Sequence, residues 1–253
     1  MTFPLVFHVG TVAVPAHPVF ESLGYVLGFR VFLGLRSRRS DDIPDDTRLW
    51  VIAAAAIGAA LGSRLLAWIE HPDLTWAHRA DLAWLLGGKT IVGGLLGGLI
   101  GVEWAKRMLG ETRSTGDLFA IPLCVGMAIG RVGCFLAGLP DHTYGVETTL
   151  PWAVDFGDGV RRHPTQLYEI LALALIAAWS WAAHSRLQRG VLVRGDVFRG
   201  FMAFYLSFRL ALDTIKPEPR PYAGLSAIQV ACLLGLVYYA RDLARLLLGA
   251  RRA

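Results

Sequence analysis

The chain has 253 residues, 54% hydrophobic and 18% charged, with a formal net charge of +5 and a mean hydropathy of +0.46. Soluble domains carry about 25% charged residues, so this balance excludes disorder and points away from a soluble enzyme. Three cysteines without CxxC or Cys/His zinc spacing exclude a disulfide scaffold and say nothing of redox compartment.

The composition suits one integral membrane domain over residues 1–253, an all-α bundle of about seven transmembrane helices. Apolar runs fall at residues 18–35, 49–69, 84–104, 118–138, 165–184, 197–212 and 225–248. The first ten residues lack a basic n-region, so no cleaved signal peptide is expected. The third run contains GGKTIVGGLLGGLIG, with Gly93, Gly97 and Gly101 spaced four apart, as are Gly94 and Gly98. That spacing lets helix backbones approach closely and is first of all packing information. Gly88-Lys89-Thr90 looks like the end of a P-loop, but Ala83 stands where its first glycine is needed. Residues 139–164, between runs four and five, form the longest external connection. Within it LPWAVDFGDGV alternates apolar and polar around a Gly-Asp-Gly turn, which predicts a small hairpin.

Of the 25 basic residues only Lys89, Lys106 and Lys216 are lysine. A pI near 9.4 suggests nucleic acid, but the arginines stand in short groups between apolar runs, so no nucleic-acid partner is expected. With the amino terminus outside, fifteen basic residues fall in cytoplasmic connections, against Arg79, Arg161, Arg162, Lys216 and Arg220 outside. This asymmetry predicts an N-out, C-in topology.

Five cations remain within the runs: Arg30, Arg64, Lys89, Arg131 and Arg209. Each costs about 2.5–3.5 kcal/mol at a helix centre unless paired or able to snorkel. Arg30 and Arg64 lie nearer run ends, where snorkelling suffices. Arg131 sits between Gly130 and Gly133, whose small size admits another group to the guanidinium. Tyr205, Arg209 and Asp213 recur at i, i+4 and i+8 and share a helix face, where Asp213 can hold the Arg209 fork. Candidate intramembrane acids are Glu21, Glu103, Glu169 and Asp213, although Glu103 near a run end suits the interface. Such pairs can simply tie helices together. Lys89, Arg131 and Arg209 come from three runs, however, and convergent cations suit an anionic lipid headgroup, because guanidinium binds phosphate bidentately. The residues therefore imply a polar pocket for an anionic amphiphile; charge alone does not dictate chemistry. His142 and His163 with Asp141 have no recognised metal spacing, so no metal ligation is expected there.

GRVGCFLAG (130–138), then Tyr144-Gly145, Pro151-Trp152 and HPTQLYE (163–169), resembles the prolipoprotein diacylglyceryl transferase family, with its G-R-x-G-N/C-F, Y-G, P-W and H-P-S/T-Q-L-Y-E motifs. The glycine-rich third run, the Tyr205/Arg209/Asp213 face and Gln229 in LSAIQV resemble further family features, so the likeness spans nearly the whole chain. It implies a seven-helix, N-out enzyme of the bacterial plasma membrane, with its site toward the outer leaflet. Such an enzyme moves a diacylglyceryl group from phosphatidylglycerol to the lipobox cysteine of a prolipoprotein, forming a thioether and releasing glycerol phosphate. The resemblance assigns Arg131 first and Arg209 second to the lipid phosphate, with Asp213 and Tyr205 supporting Arg209. It leaves His163, Gln166 and Glu169 to shape the outer end of the site, though His163 also suits a helix cap. No metal and no organic cofactor is implied, because the donor lipid carries its own leaving group.

Three positions depart from the family pattern. Val92 stands where a histidine usually precedes a Gly-Gly pair and is the favoured thiol-activating group; valine cannot take a proton. Glu21 replaces a first-span tyrosine, and Asp213 replaces a glutamate. Lys89 and Glu21 are expected to form a substitute polar pair. A base could also be Glu21 or His163, or the positive pocket alone could lower the thiol pKa. The alternatives are a paralogous transferase with another acceptor and a non-catalytic lipid-binding or lipid-transport protein.

Overall fold

The computed structural model describes residues 3–39 and 42–248. In chain order these form β1 (Val6–Val9), β2 (Val12–Pro15), α1 (Ala16–Arg38), α2 (Asp45–Glu70), α3 (Pro72–Ala77), α4 (Leu82–Gly87), α5 (Ile91–Met108), α6 (Ala120–Ala137), β3 (Val154–Asp155), β4 (Arg161–Arg162), α7 (Thr165–Gln188), α8 (Asp196–Leu212) and α9 (Ala227–Leu248). The protein is mostly helical. Among the described residues, α1, α2, α7, Asp117–Ala137 with α6, and Ala227–Arg245 of α9 are long and apolar enough to cross a membrane.

The chain divides into two compact units. The first comprises Met1–Ser40 and Gly116–Pro217, the second Asp41–Thr115 and Glu218–Ala253. In the first unit, α1 and α6 meet through small residues: a Cβ on Gly24 would lie 2.6 Å from the Gly126 carbonyl oxygen. Helix α6 also packs on α7, and α7 on α8, where Gly200 leaves room for the Trp179 ring. The antiparallel β1–β2 hairpin, which hydropathy did not signal, precedes α1 directly. The expected hairpin after α6 is present as β3–β4. The Asp155 carboxylate holds its turn by accepting from the Gly157 and Gly159 amides at 2.8 and 3.1 Å.

In the second unit, Gly58 and Gly62 of α2 face Gly97 and Gly93 of α5 so closely that a Cβ on any of them would strike the opposing backbone. The four-residue glycine spacing thus acts as a packing seam, as expected. The third run corrects the sequence reading. It is not one helix over 84–104: α4 ends at Gly87, residues 88–90 are non-helical, and α5 begins at Ile91. Two adjacent glycines remove helix propensity there. The Thr90 hydroxyl then caps the new start by accepting from the Gly93 amide at 3.2 Å. Lys89, expected within a span, therefore lies in this break.

Candidate functional site

Charged side chains are buried in the first unit where α6, α7 and α8 come together. Arg131 projects from α6, Glu169 from the second turn of α7, and Tyr205 and Arg209 from α8; Asp213 follows at the end of α8. Arg131 is 7% exposed, and Glu169, Arg209 and Asp213 are 4% or less. At that depth a charge persists only when it is paired.

Glu169 is the hub. Its Oε2 lies 2.8 Å from Arg131 Nε and 3.7 Å from Arg209 Nη1. Its Oε1 accepts a 2.6 Å hydrogen bond from the Tyr205 hydroxyl. Arg209 Nη2 donates to Asp213 Oδ1 at 3.2 Å, the fork expected from their i, i+4 spacing. The Tyr205 hydroxyl shares the Arg209 face as expected, but it is spent on Glu169. Lys216, which charge sorting placed in an external connection, is 5% exposed, and its charge acts on Glu169. Three cations thus stand against two carboxylates, a formal balance that one phosphate diester anion would neutralise. Among the described residues Arg209 Nη1 is buried without a hydrogen-bond partner, a donor suited to such an anion.

The connection after α6 closes around the start of α7. The Gln166 amide nitrogen donates to the Thr143 hydroxyl at 3.0 Å, while its buried Oε1 has no hydrogen-bond partner among the described residues. The Gly145 and His163 backbones pair, and the Val146 amide donates to the Ile215 carbonyl at 2.8 Å. Gly145 fits because a Cβ would meet His163, Thr165 and the Ile215 carbonyl. His163 does not cap α7; its Nδ1 lies 3.1 Å from the Tyr168 hydroxyl, which also accepts from Trp152 Nε1 at 2.7 Å. Across the hairpin, Asp158 is held below the usual carboxylate range by Arg162, which donates to both its oxygens at 2.8 Å.

The structure therefore gathers Arg131, Glu169, Tyr205, Arg209 and Asp213, with Gln166 and His163 at the neighbouring start of α7. Glu21 lies half-buried on α1 and accepts from the Tyr25 hydroxyl at 3.1 Å. Lys89 belongs to the second unit, as does Val92, which is 1% exposed on α5. Gln229 heads α9 in a capping box: its Oε1 accepts from the Ser226 amide at 3.1 Å, and Ser226 Oγ accepts from the Gln229 amide at 3.0 Å. Sequence reasoning missed Lys216, Thr143 and Cys134, whose Sγ lies 3.6 Å from Arg131 Nη1. The available signal for Cys134 was its i+3 position from Arg131, which puts both on one face of α6.

The family model for prolipoprotein diacylglyceryl transferase matches residues 4–244. The chain is 32% identical to the phosphatidylglycerol–prolipoprotein diacylglyceryl transferase of Geobacter sulfurreducens over 230 residues, 88% of this chain and 85% of that one. It is 36% identical to the enzyme of the same name from Nitratidesulfovibrio vulgaris strain Miyazaki F, over 75% of this chain and 71% of that one. The namesake from Phenylobacterium zucineum is 28% identical over 92% of this chain and 86% of its own. The chain belongs to the prolipoprotein diacylglyceryl transferase family.

Proposed function

We propose that this protein transfers the diacylglyceryl group of phosphatidylglycerol to the lipobox cysteine of a prolipoprotein. The observation that carries the reading is the convergence of Arg131 and Arg209 on Oε2 of Glu169 in a buried core. Arg131 and Arg209 hold the donor phosphate. The acceptor sulfur attacks the glycerol carbon, the carbon–oxygen bond breaks, and its electron pair passes to the departing glycerol phosphate. Fixed guanidinium groups stabilise that growing charge, which is worth most in a water-excluded site. Glu169 sets the spacing of the two arginines, Tyr205 fixes Glu169, and Asp213 holds Arg209. Gln166 and His163 shape the entrance to the site.

In this reading α5 and α8 complete seven crossings, with the amino terminus outside and the site toward the outer leaflet of a bacterial plasma membrane. The positive-inside asymmetry supports that orientation. Val92 favours a second reading, transfer to a different acceptor, because no imidazole stands at that position. The deciding experiment incubates purified protein with phosphatidylglycerol liposomes and a lipobox peptide, then weighs the peptide by mass spectrometry. A diacylglyceryl mass increment is expected, and base should strip its ester-linked acyl chains while the glyceryl group stays on sulfur as a thioether. Release of glycerol phosphate without a modified peptide would favour the second reading. Neither product, from folded protein, would overturn the transferase assignment.

A further inference from the structure

Beside the arginine core, three side chains from distant parts of the sequence meet: His17 in the first turn of α1, Cys134 in the last turn of α6, and Asp141 in the short 3-10 turn after it. The candidate ligand atoms of this trio, one nitrogen, one sulfur and one oxygen, all lie within 4.8 Å of one another. His17 Nδ1 contacts the Asp141 carboxylate, and the Cys134 thiol sulfur lies within 4.8 Å of the same carboxylate. Cys134 is buried and the Asp141 side chain is 6% exposed, whereas His17 is 36% exposed.

The backbone brings these residues together deliberately. Gly133, next to Cys134, admits the first turn of α1; a Cβ there would lie 3.2 Å from the His17 carbonyl oxygen. Gly138, at a φ of +67°, reverses the chain after α6 and returns Asp141 toward the helix end. The Leu5 amide donates to the Leu136 carbonyl at 2.8 Å and the Ala16 amide to the Leu5 carbonyl at 3.1 Å, which ties the start of α1 to the end of α6. The Thr143 hydroxyl donates to Asp141 Oδ2 at 2.7 Å and orients the carboxylate from behind.

We propose that His17, Cys134 and Asp141 form a zinc site whose fourth position takes the thiolate of the acceptor cysteine. The proposal rests on the transferase reading above. The mixed N, S, O donor set suits a borderline-soft divalent ion and disfavours magnesium or calcium. Around a tetrahedral zinc, donor atoms stand about 3.3–3.8 Å apart, so shifts of roughly 1 Å would close the trio on an ion. Three protein ligands leave one position for an exogenous group, the arrangement of catalytic rather than structural zinc. A thiol that binds zinc is deprotonated outright, its proton passing to solvent. The metal would therefore do the work expected of the histidine absent at Val92. Cys134 Sγ also lies 3.6 Å from Arg131 Nη1, so the acceptor sulfur would stand beside the cation that holds the donor phosphate. The step is the one already written: the zinc-held sulfur forms its bond to the glycerol carbon as the carbon–oxygen bond breaks toward phosphate.

The test uses full-length protein purified in detergent without a histidine tag or chelator. Elemental analysis is expected to find about one zinc per chain, falling below about 0.1 in Cys134→Ala. Wild-type protein stripped with chelator and titrated with Co²⁺ should gain a sulfur-to-cobalt charge-transfer band with four-coordinate visible bands. Adding the lipobox peptide should intensify that band, and a Cys-to-Ser peptide should not. The cobalt spectrum needs no variant to fold. Wild-type protein that binds neither zinc nor cobalt overturns the site. A cobalt spectrum unchanged by the peptide, with full lipidation by stripped protein, overturns the acceptor role. Failure of the transferase reading would look different: an intact metal spectrum with no lipidation by zinc-replete protein.

Discussion

The α2–α5 seam and the core of α6, α7 and α8 are both buried, yet they are made of opposite materials. The seam is Gly58 and Gly62 against Gly93 and Gly97, backbone on backbone. The core holds Arg131, Glu169, Arg209 and Asp213, with Lys216 beside them. A bilayer gives apolar side chains no reason to leave lipid for protein, so close backbone packing alone can hold a seam. Burying five charges for packing would instead impose a desolvation cost that apolar residues avoid. On the proposed reading, glycine spacing in this chain reports structure, whereas buried charge reports function.

The largest expected effect tests that division at Arg131. Arg131→Ala removes both the proposed phosphate ligand and the closest ion-pair partner of Glu169. Lipidation is expected to fall by at least about 10²-fold. Stability should fall by about 3–5 kcal/mol, because Glu169 loses its 2.8 Å ion pair and is left with Arg209 at 3.7 Å, the Tyr205 hydroxyl and the charge of Lys216. Rates measured on the folded fraction, with unfolding followed in the same detergent, separate the two. Wild-type turnover in folded Arg131→Ala would make the charged core only another seam.

The next test acts on the glycines. In Gly97→Ala the new Cβ would meet the Gly58 carbonyl oxygen, so the helices must separate. A loss of about 1–3 kcal/mol is expected, read as a lower thermal midpoint. Gly34→Ala on α1 is the control. Nothing lies within 4 Å of its new Cβ, and alanine favours a helix over glycine by about 0.5–1 kcal/mol. The midpoint should hold or rise. Equal losses in both variants would show that glycine spacing does not mark the contact.

Both regions were partly visible in the sequence, for different reasons. The seam was legible because a four-residue repeat states its own geometry. The Arg209–Asp213 fork was legible because i, i+4 partners meet on any helix. The role of Glu169 as common partner of two arginines was not, since it depends on how α6, α7 and α8 pack. His17 and Asp141 meet only because α1 returns beside α6, and no local pattern announces that. The break at residues 88–90 was hidden because glycine-rich apolar sequence satisfies a hydropathy window whether or not the helix is continuous. Lys216 does lie in the connection after α8, but its burial was not legible, because sorting charges by connection assumes that connections are wet.

The smallest expected effect comes from an ion pair outside both regions, which isolates what burial contributes. After α5, Arg113 donates to both Glu111 oxygens, from Nε at 2.8 Å and Nη2 at 2.6 Å. Its Nη1 donates to the Asp42 carbonyl at 2.6 Å. These side-chain hydrogen bonds, with one from the Arg113 amide, pull the Glu111 carboxyl from 4.5 down to about 2. A depressed carboxylate stabilises the fold above its unfolded value and loses that contribution as pH falls through its folded value. The pair should thus help fully above about pH 4.5 and fade toward pH 2. Arg113 is 40% exposed, so solvent screening keeps the contribution below about 1 kcal/mol. Glu111→Gln should therefore shift the midpoint only slightly at neutral pH and flatten its fall between pH 4.5 and 2. Glu169→Gln, which leaves two buried arginines facing a neutral amide, should cost about 3–5 kcal/mol at neutral pH. Equal costs for the two substitutions would mean that the buried core owes its character to something other than desolvated charge.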